Sequence, residues 1–524
     1  MTMQRPTTTI FAACLLAAPA VVWGEITPFD PGTKRNVILM VSDGAGTGTH
    51  QMAEAWTGAA EPYNNASFTQ FFTSTYNLRG GAEGLDSLEQ DPYRVYTPDK
   101  AWDPTPVAGT SAHPTYRGGV YDAVNRGYEW RRETHPDSAS TITALVTGQR
   151  TYRGGINVDG LGRPLRSAAH YFKDTGRMVG SVSSVRYNHA TPAAAAGASV
   201  ADRNDYLDVS YQLFGTDVAD VIGGAGHPFF DEHGRARSQP QGFVNTRFSQ
   251  PLWDAMAGGT TTTRTFARPD GTFPTYTVDG GEWDMVTDRA EIEALAEGQV
   301  RSGKRLFLLP EVYSTLQQRR DGSSPTPFAD APIETVPTLT SMALAAVNHM
   351  SHDPEGFFLH VEGGAVDWAD HEDDSARLLE EHVAFNETAA EIIRYLENNT
   401  DGNNFGNTLL IITSDHDHLT YGPQSGDAAS AFQDVEDRGA GVMPGVFHNY
   451  DGHAASLVPT YVRGLGAEDL LATATDYDPY LDAFYNHQVD IGQYLNGVRE
   501  GFPIPEPTGI AVLGVAGLIL RRRR

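Results

Sequence analysis

Three acidic residues occupy equivalent places in this chain, each one or two positions beyond a short apolar run. Asp43 follows Val37-Ile38-Leu39-Met40-Val41, Glu362 follows Phe357-Phe358-Leu359-His360-Val361, and Asp415-His416 follows Leu409-Leu410-Ile411-Ile412-Thr413. Apolar runs of this length, without polar alternation, read as strands buried on both faces. The clearest span residues 36–41, 178–182, 357–361 and 408–413, and helical patterns over 333–349 and 376–398 alternate with them. That alternation predicts an α/β chain, a three-layer sandwich around a mostly parallel central sheet. Open α/β sheets place their ligands beyond the carboxyl ends of the strands. Any one of these acids alone reads as a turn residue or a helix cap. All three, each beside Gly or His, point to one shared site.

Composition limits what that site can serve. With 524 residues and 40% hydrophobic content the chain fills a large core, which excludes collagen, coiled coil and wholesale disorder. Its 38 basic and 66 acidic residues give a net charge of −28, a field that repels phosphate backbones and argues against a nucleic-acid partner. Cys14 is the one cysteine, so no internal disulfide forms and Cys-rich metal sites are excluded.

Both ends read as addresses rather than fold. Arg5, the apolar run 10–22 and Val22-Trp23-Gly24 form a secretory signal over 1–24, with cleavage near Gly24. A lipoprotein reading of Cys14 fits less well, because apolar sequence continues through Trp23. At the other end Pro505-Glu506-Pro507 precedes the apolar stretch 508–520 and then Arg521 to Arg524. That stretch is shorter than the roughly 20 residues a spanning helix needs. The combination resembles the PEP-CTERM sorting signal (503–524), whose tail an exosortase removes at the surface of Gram-negative bacteria; an ordinary tail anchor is the other reading. The expectation is an exported protein of the periplasm, outer cell surface or extracellular matrix. Between the ends, 25–500 reads as one catalytic unit with loop-rich insertions near 78–130 and 243–320.

Several motifs supply chemistry. Gly44-Ala45-Gly46-Thr47-Gly48 fails as a nucleotide loop, since Thr49 and His50 stand where the third Gly or the Lys-Ser pair belongs. Its glycines are expected to let the chain turn tightly away from Asp43. Asp367 and His371 share one helical face at i, i+4, where with Glu362 just upstream they can grip a metal. His453 reads alone as a loop histidine. Asp137-Ser138-Ala139 opens a helix. By one reading it is only a cap; by the other, Ser138 sits in the positive potential of a helix N-terminus, which attracts phosphate. No Gly-x-Ser-x-Gly surrounds it, so such a serine needs a metal to activate it.

In this order the motifs resemble the alkaline phosphatase family, from about Arg35 to Gln493. The resemblance implies an exported phosphomonoesterase of broad specificity, working through a phosphoserine at Ser138, with Arg203 clamping phosphate. It implies two Zn²⁺ and one Mg²⁺ per chain. Asp367, His371 and His453 would hold one zinc, and Asp43, Asp415 and His416 the other. Asp43, Thr191 and Glu362 would hold magnesium, with His189 nearby, where some members have Asp. Trp368, beside Asp367, either stacks on a leaving group or packs at an interface. The implied partners are small phosphomonoesters, an exosortase acting on the tail, and a second copy in a homodimer. Two other readings stay open: a two-metal phosphodiesterase or phosphoglycerate mutase of the same superfamily, and a non-catalytic surface matrix protein.

Overall fold

The computed structural model describes residues 35–497 apart from 82–86, 106–127, 242–247, 269–270, 302, 399–400, 423–431 and 451. The expected signal and sorting tail lie outside the described residues. No helix among the described residues is long and apolar enough to cross a membrane.

An 11-stranded sheet runs through the molecule, ordered Asp476–Asp478, Ala483–His487, Thr69–Ser74, Leu457–Gly464, Thr408–Thr413, Asn36–Ser42, Phe357–Gly363, Met178–Arg186, Val221–Ala225, Arg305–Leu308, Trp283–Val286. From Thr408–Thr413 to Trp283–Val286 every pairing is parallel. Leu457–Gly464 is antiparallel to both neighbours. All four expected strands are present. Three extend beyond the apolar run, to Ser42, Arg186 and Gly363, because hydrogen bonding continues through polar residues and glycine that an apolar pattern does not register.

Alternate residues of the central strands feed two separate cores, which makes the sandwich three-layered. Val37, Leu39 and Val41 pack with Leu409 and Ile411 on one side. Ile38 and Met40 pack with Leu410 and Ile412 on the other. The first side carries the helices Ser138–Thr147, Ala190–Ala195, Tyr206–Gly215 and Gln488–Gly497, and the second carries Leu339–Met350 and Ser375–Asn398. A fully buried aliphatic side chain contributes about 2–3 kcal/mol, so both cores hold the strand ends firmly.

Two expectations are corrected. The helix expected over 333–349 starts at Leu339, because Pro337 disfavours helical backbone before it and the Thr338 hydroxyl caps the Ser341 N–H. The 243–320 stretch is not merely decoration: Trp283–Val286 and Arg305–Leu308 complete one edge of the main sheet. Each has only four residues, too short for a periodicity signal. The hairpin Thr261–Thr265/Thr275–Asp279 within that stretch does form a separate two-stranded sheet.

Candidate active site

Parallel register brings the three acids together. Val41 lies opposite both Glu362 and Thr413, so Asp43, Glu362 and Asp415 emerge at one edge of three adjacent strands. All three are fully buried. Gly44 turns the chain away in the left-handed region, φ +75°, and its N–H donates to Asp415 Oδ1 at 3.1 Å. Gly48 serves close approach, since a Cβ there would overlap the Thr420 carbonyl. The glycine run therefore makes the expected turn and also seats the following helix, Thr47–Thr57, against the segment carrying Asp415 and His416.

Ser138 is the first residue of its helix. Asp137 caps that helix by accepting from the Ser140 N–H at 3.1 Å, so the cap and the serine are neighbours with separate jobs. Asp137 also accepts from Arg203 Nη1 at 2.9 Å and from the Gly154 N–H at 3.0 Å, while the Gly154 carbonyl accepts from the Arg203 N–H at 2.7 Å. Burial opposes ionisation of Asp137, but the Arg203 guanidinium together with the hydrogen bonds from Ser140 and Gly154 outweighs it and holds the carboxyl below its ordinary range. Arg203 is thereby fixed to Asp137, the residue before Ser138. Its Nη2 donates to His189 Nε2 at 3.3 Å, and the His189 ring lies 5.7 Å from Trp368. The contact shown for His189 is thus support of Arg203. Trp368 is half-buried with the guanidiniums of Arg186 and Arg319 over its ring, at 5.3 and 4.9 Å.

The polar atoms form two clusters that share His416. Its Nε2 lies 3.3 Å from Asp43 Oδ1, 3.4 Å from Asp415 Oδ2 and 3.4 Å from Ser138 Oγ. The second cluster centres on Asp367 Oδ1, with His418 Nε2 at 2.7 Å, His453 Nε2 at 3.1 Å, His371 Nε2 at 3.4 Å and His416 Nε2 at 3.8 Å. Glu362 lies close enough to feel Asp43 and Thr191, and Ser183 Oγ donates to its other oxygen.

His418 was not among the sequence candidates. Its only signal was the alternation Asp415-His416-Asp417-His418, which in extended backbone returns alternate side chains to one side.

These residues fit cations. Both Asp43 oxygens, Thr191 Oγ1 and Glu362 Oε1 are buried with no aligned hydrogen-bond donor. Burial and the charges of Asp415, Asp367 and Glu362 push the Asp43 carboxyl well above its usual range. Glu362 is pushed up to about 7, chiefly by burial. His453 Nδ1 faces the Pro136 carbonyl at 3.0 Å and must donate to it. In the neutral ring Nε2 is then a bare lone pair, turned toward Asp367 Oδ1 and, at 2.9 Å, toward His371 Nε2. Buried donor atoms that converge without hydrogen bonds to satisfy them are what metal ligands look like once oriented by outer partners. Imidazole with carboxylate suits zinc, and the all-oxygen group of Asp43, Thr191 and Glu362 suits magnesium.

The chain is similar in sequence and in fold to known proteins. The sequence model of the family described as Alkaline phosphatase matches residues 121–458. Alkaline phosphatase 4 of Bacillus subtilis is 27% identical over 295 residues, 54% of this chain and 51% of that protein. The human tissue-nonspecific alkaline phosphatase is 27% identical over 332 residues, covering 57% and 56%. The chain thus spans little more than half the length of these curated relatives. The crystal structure of the Thermus thermophilus alkaline phosphatase superposes with a TM-score of 0.55 at 18% identity, covering 89% of this chain and 91% of that one, which establishes a shared fold. By the family match, which takes in more than half of its residues, the chain belongs to the alkaline phosphatase family.

Proposed function

We propose that the protein is an exported phosphomonoesterase that transfers phosphate to Ser138 and then to water. One observation carries the reading: Ser138 Oγ lies at a helix N-terminus, 3.4 Å from His416 Nε2, and Asp137, the residue before it, holds Arg203. In this reading Asp367, His371 and His453 hold one zinc and Asp43, Asp415 and His416 a second, while Asp43, Thr191 and Glu362 hold magnesium. When bound, these ions supply positive charge to the phosphate and lower the pKa of the serine hydroxyl.

Arg203 grips two non-bridging oxygens and aligns phosphorus with Ser138 Oγ. Ser138 Oγ bonds to phosphorus as the ester P–O bond opposite it breaks, and the serine proton passes through water to the departing oxygen, which leaves as the alcohol. Water then attacks the phosphoserine from the vacated side; as the bond from Ser138 Oγ to phosphorus breaks, one water proton returns to Oγ and the other stays with the released inorganic phosphate. The N–H groups at the start of the Ser138–Thr147 helix face the growing negative charge. No residue grips the leaving alcohol in this scheme, which supports broad monoester specificity, with Trp368 offering a flat surface to the leaving group.

Export and removal of the 503–524 tail belong to the same proposal and rest on the sequence patterns at the two ends. Monoester and diester kinetics on the zinc- and magnesium-loaded protein test the chemistry. Phosphomonoesters are expected to turn over far faster, and faster diester hydrolysis overturns the reading. Arg203→Lys is expected to lower kcat/KM by about 100-fold, with product inhibition by phosphate weakened in parallel, because an ammonium cannot make the bidentate grip. Steady-state kinetics with a phosphate titration checks both.

A further inference from the structure

A second group of potential metal ligands lies behind the catalytic carboxylates. Glu61 has a side chain only 2% exposed, with His50 Nδ1 2.7 Å from Oε2 and His382 Nε2 2.8 Å from Oε1. The two imidazoles meet edge to face with centroids 4.8 Å apart. His50 comes from the Thr47–Thr57 helix and His382 from Ser375–Asn398, while Glu61 lies in the loop after the first of these. None of the three has a role in the phosphoryl transfer described above.

We propose that His50, Glu61 and His382 form a further binding site for a divalent transition ion, with zinc the ion their chemistry fits. Three observations carry it. Nitrogen and oxygen donor atoms from all three residues lie within 4.8 Å of one another in a buried place. The outer contacts are those of a ligand set: His382 Nδ1 lies 2.9 Å from Ser42 Oγ, and Asn386 Nδ2 donates to Glu61 Oε1 at 2.9 Å. Tyr63 in turn donates to Asn386 Oδ1 at 2.6 Å, which fixes the amide. Such second contacts set ring tautomers and aim carboxylates at a metal.

The third observation is charge. Among the described residues, the ion-pair partners of Glu61 are two histidines, with no lysine or arginine. Burial works against its charge, and the two imidazoles outweigh that to hold the carboxyl well below its ordinary range. Burial depresses protonation of His382. Buried carboxylates are paired with a full positive charge or coordinate a metal. Zinc bonds of about 2.0–2.2 Å need the donors to part only slightly from their present spacing. The site would tie both helices to the strand end that carries Asp43, through Ser42.

Zinc counting tests this without recourse to phosphatase activity. The full chain is stripped of metal, reloaded with Zn²⁺ and desalted, and zinc per chain is measured by mass spectrometry. Glu61→Gln and the double variant His50→Gln/His382→Gln are each expected to hold about one zinc fewer than wild type. The difference should persist in an Asp367→Asn background, which separates this site from the catalytic ions. Equal zinc content in wild type and both variants overturns the proposal and leaves the cluster a hydrogen-bonded strut. Should either variant fail to fold, crystals of the zinc-loaded wild type decide. An anomalous peak beside Glu61 supports the site, and a map with no peak there overturns it.

Discussion

Ser138→Ala is expected to lose phosphate release almost completely, by about 10³-fold or more, as losses of a nucleophile do elsewhere. The Ser138 hydroxyl faces His416 Nε2 and is 1% exposed as a residue, so no bulk water takes its exact place. The same variant should melt at the wild-type temperature. Asp137, not Ser138, makes the helix cap, and the Ser140 hydroxyl completes the capping box. Two measurements check this: initial rates with a chromogenic monoester, and capture of phosphoprotein after acid quench. Wild type should label at one serine, and the variant should not label. A variant that keeps a large share of the wild-type rate would mean attack by water directly, with Ser138 only a helix residue.

Removing the metals should reverse the effect of a second substitution. In the metal-loaded protein Asp43→Asn is expected to lower activity by on the order of 100-fold or more and to loosen metal retention, because one oxygen donor becomes an amide. In the chelated protein the same change should raise the melting temperature, because an uncompensated buried carboxylate disappears. The pH dependence follows from the raised carboxyls. Asp43 sits well above its ordinary range through burial and its acidic neighbours, and Glu362 at about 7 through burial. A carboxyl raised on folding contributes stability that is complete below its unfolded pKa, about 4. That contribution is lost as pH rises through the folded value. The metal-free protein should therefore melt progressively lower from about pH 4 to beyond pH 7. The loaded protein should not follow it across that range, because deprotonation favours metal binding. Differential scanning calorimetry with and without chelator, at several pH values, reads both curves. Parallel curves with and without metal would contradict the assignment of these acids as ligands.

Much of the fold was legible because strand burial leaves an unbroken apolar run. Asn36–Ser42, Phe357–Gly363 and Thr408–Thr413 announce themselves that way, and the acids beyond them mark the strand ends. Trp283–Val286 and Arg305–Leu308 did not, since four-residue edge strands carry too little pattern. The Asp367/His371 pair was legible from helical spacing, and Ser138 from its cap. Arg203 was named only through the family resemblance; its tie to Asp137 through the Gly154 peptide appears only in the tertiary structure. His418 and the His50–Glu61–His382 group were hidden for a related reason. His50 and Glu61 are 11 positions apart, but His382 is 321 positions from Glu61, and no periodicity spans that distance.

By itself, then, the sequence determined the α/β class, the sheet edge where the chemistry lies and the residue types gathered there. Those follow from local rules: burial shapes apolar runs, and backbone direction puts polar residues beyond strand ends. Which nitrogen faces which oxygen was decided only by the packed structure. The Pro136 carbonyl sets the His453 tautomer, Asp137 aims Arg203, and parallel register sets Asp43 beside Glu362 and Asp415. Contacts among residues tens to hundreds of positions apart arise when two cores close on both faces of one sheet, and their geometry is a property of that closure.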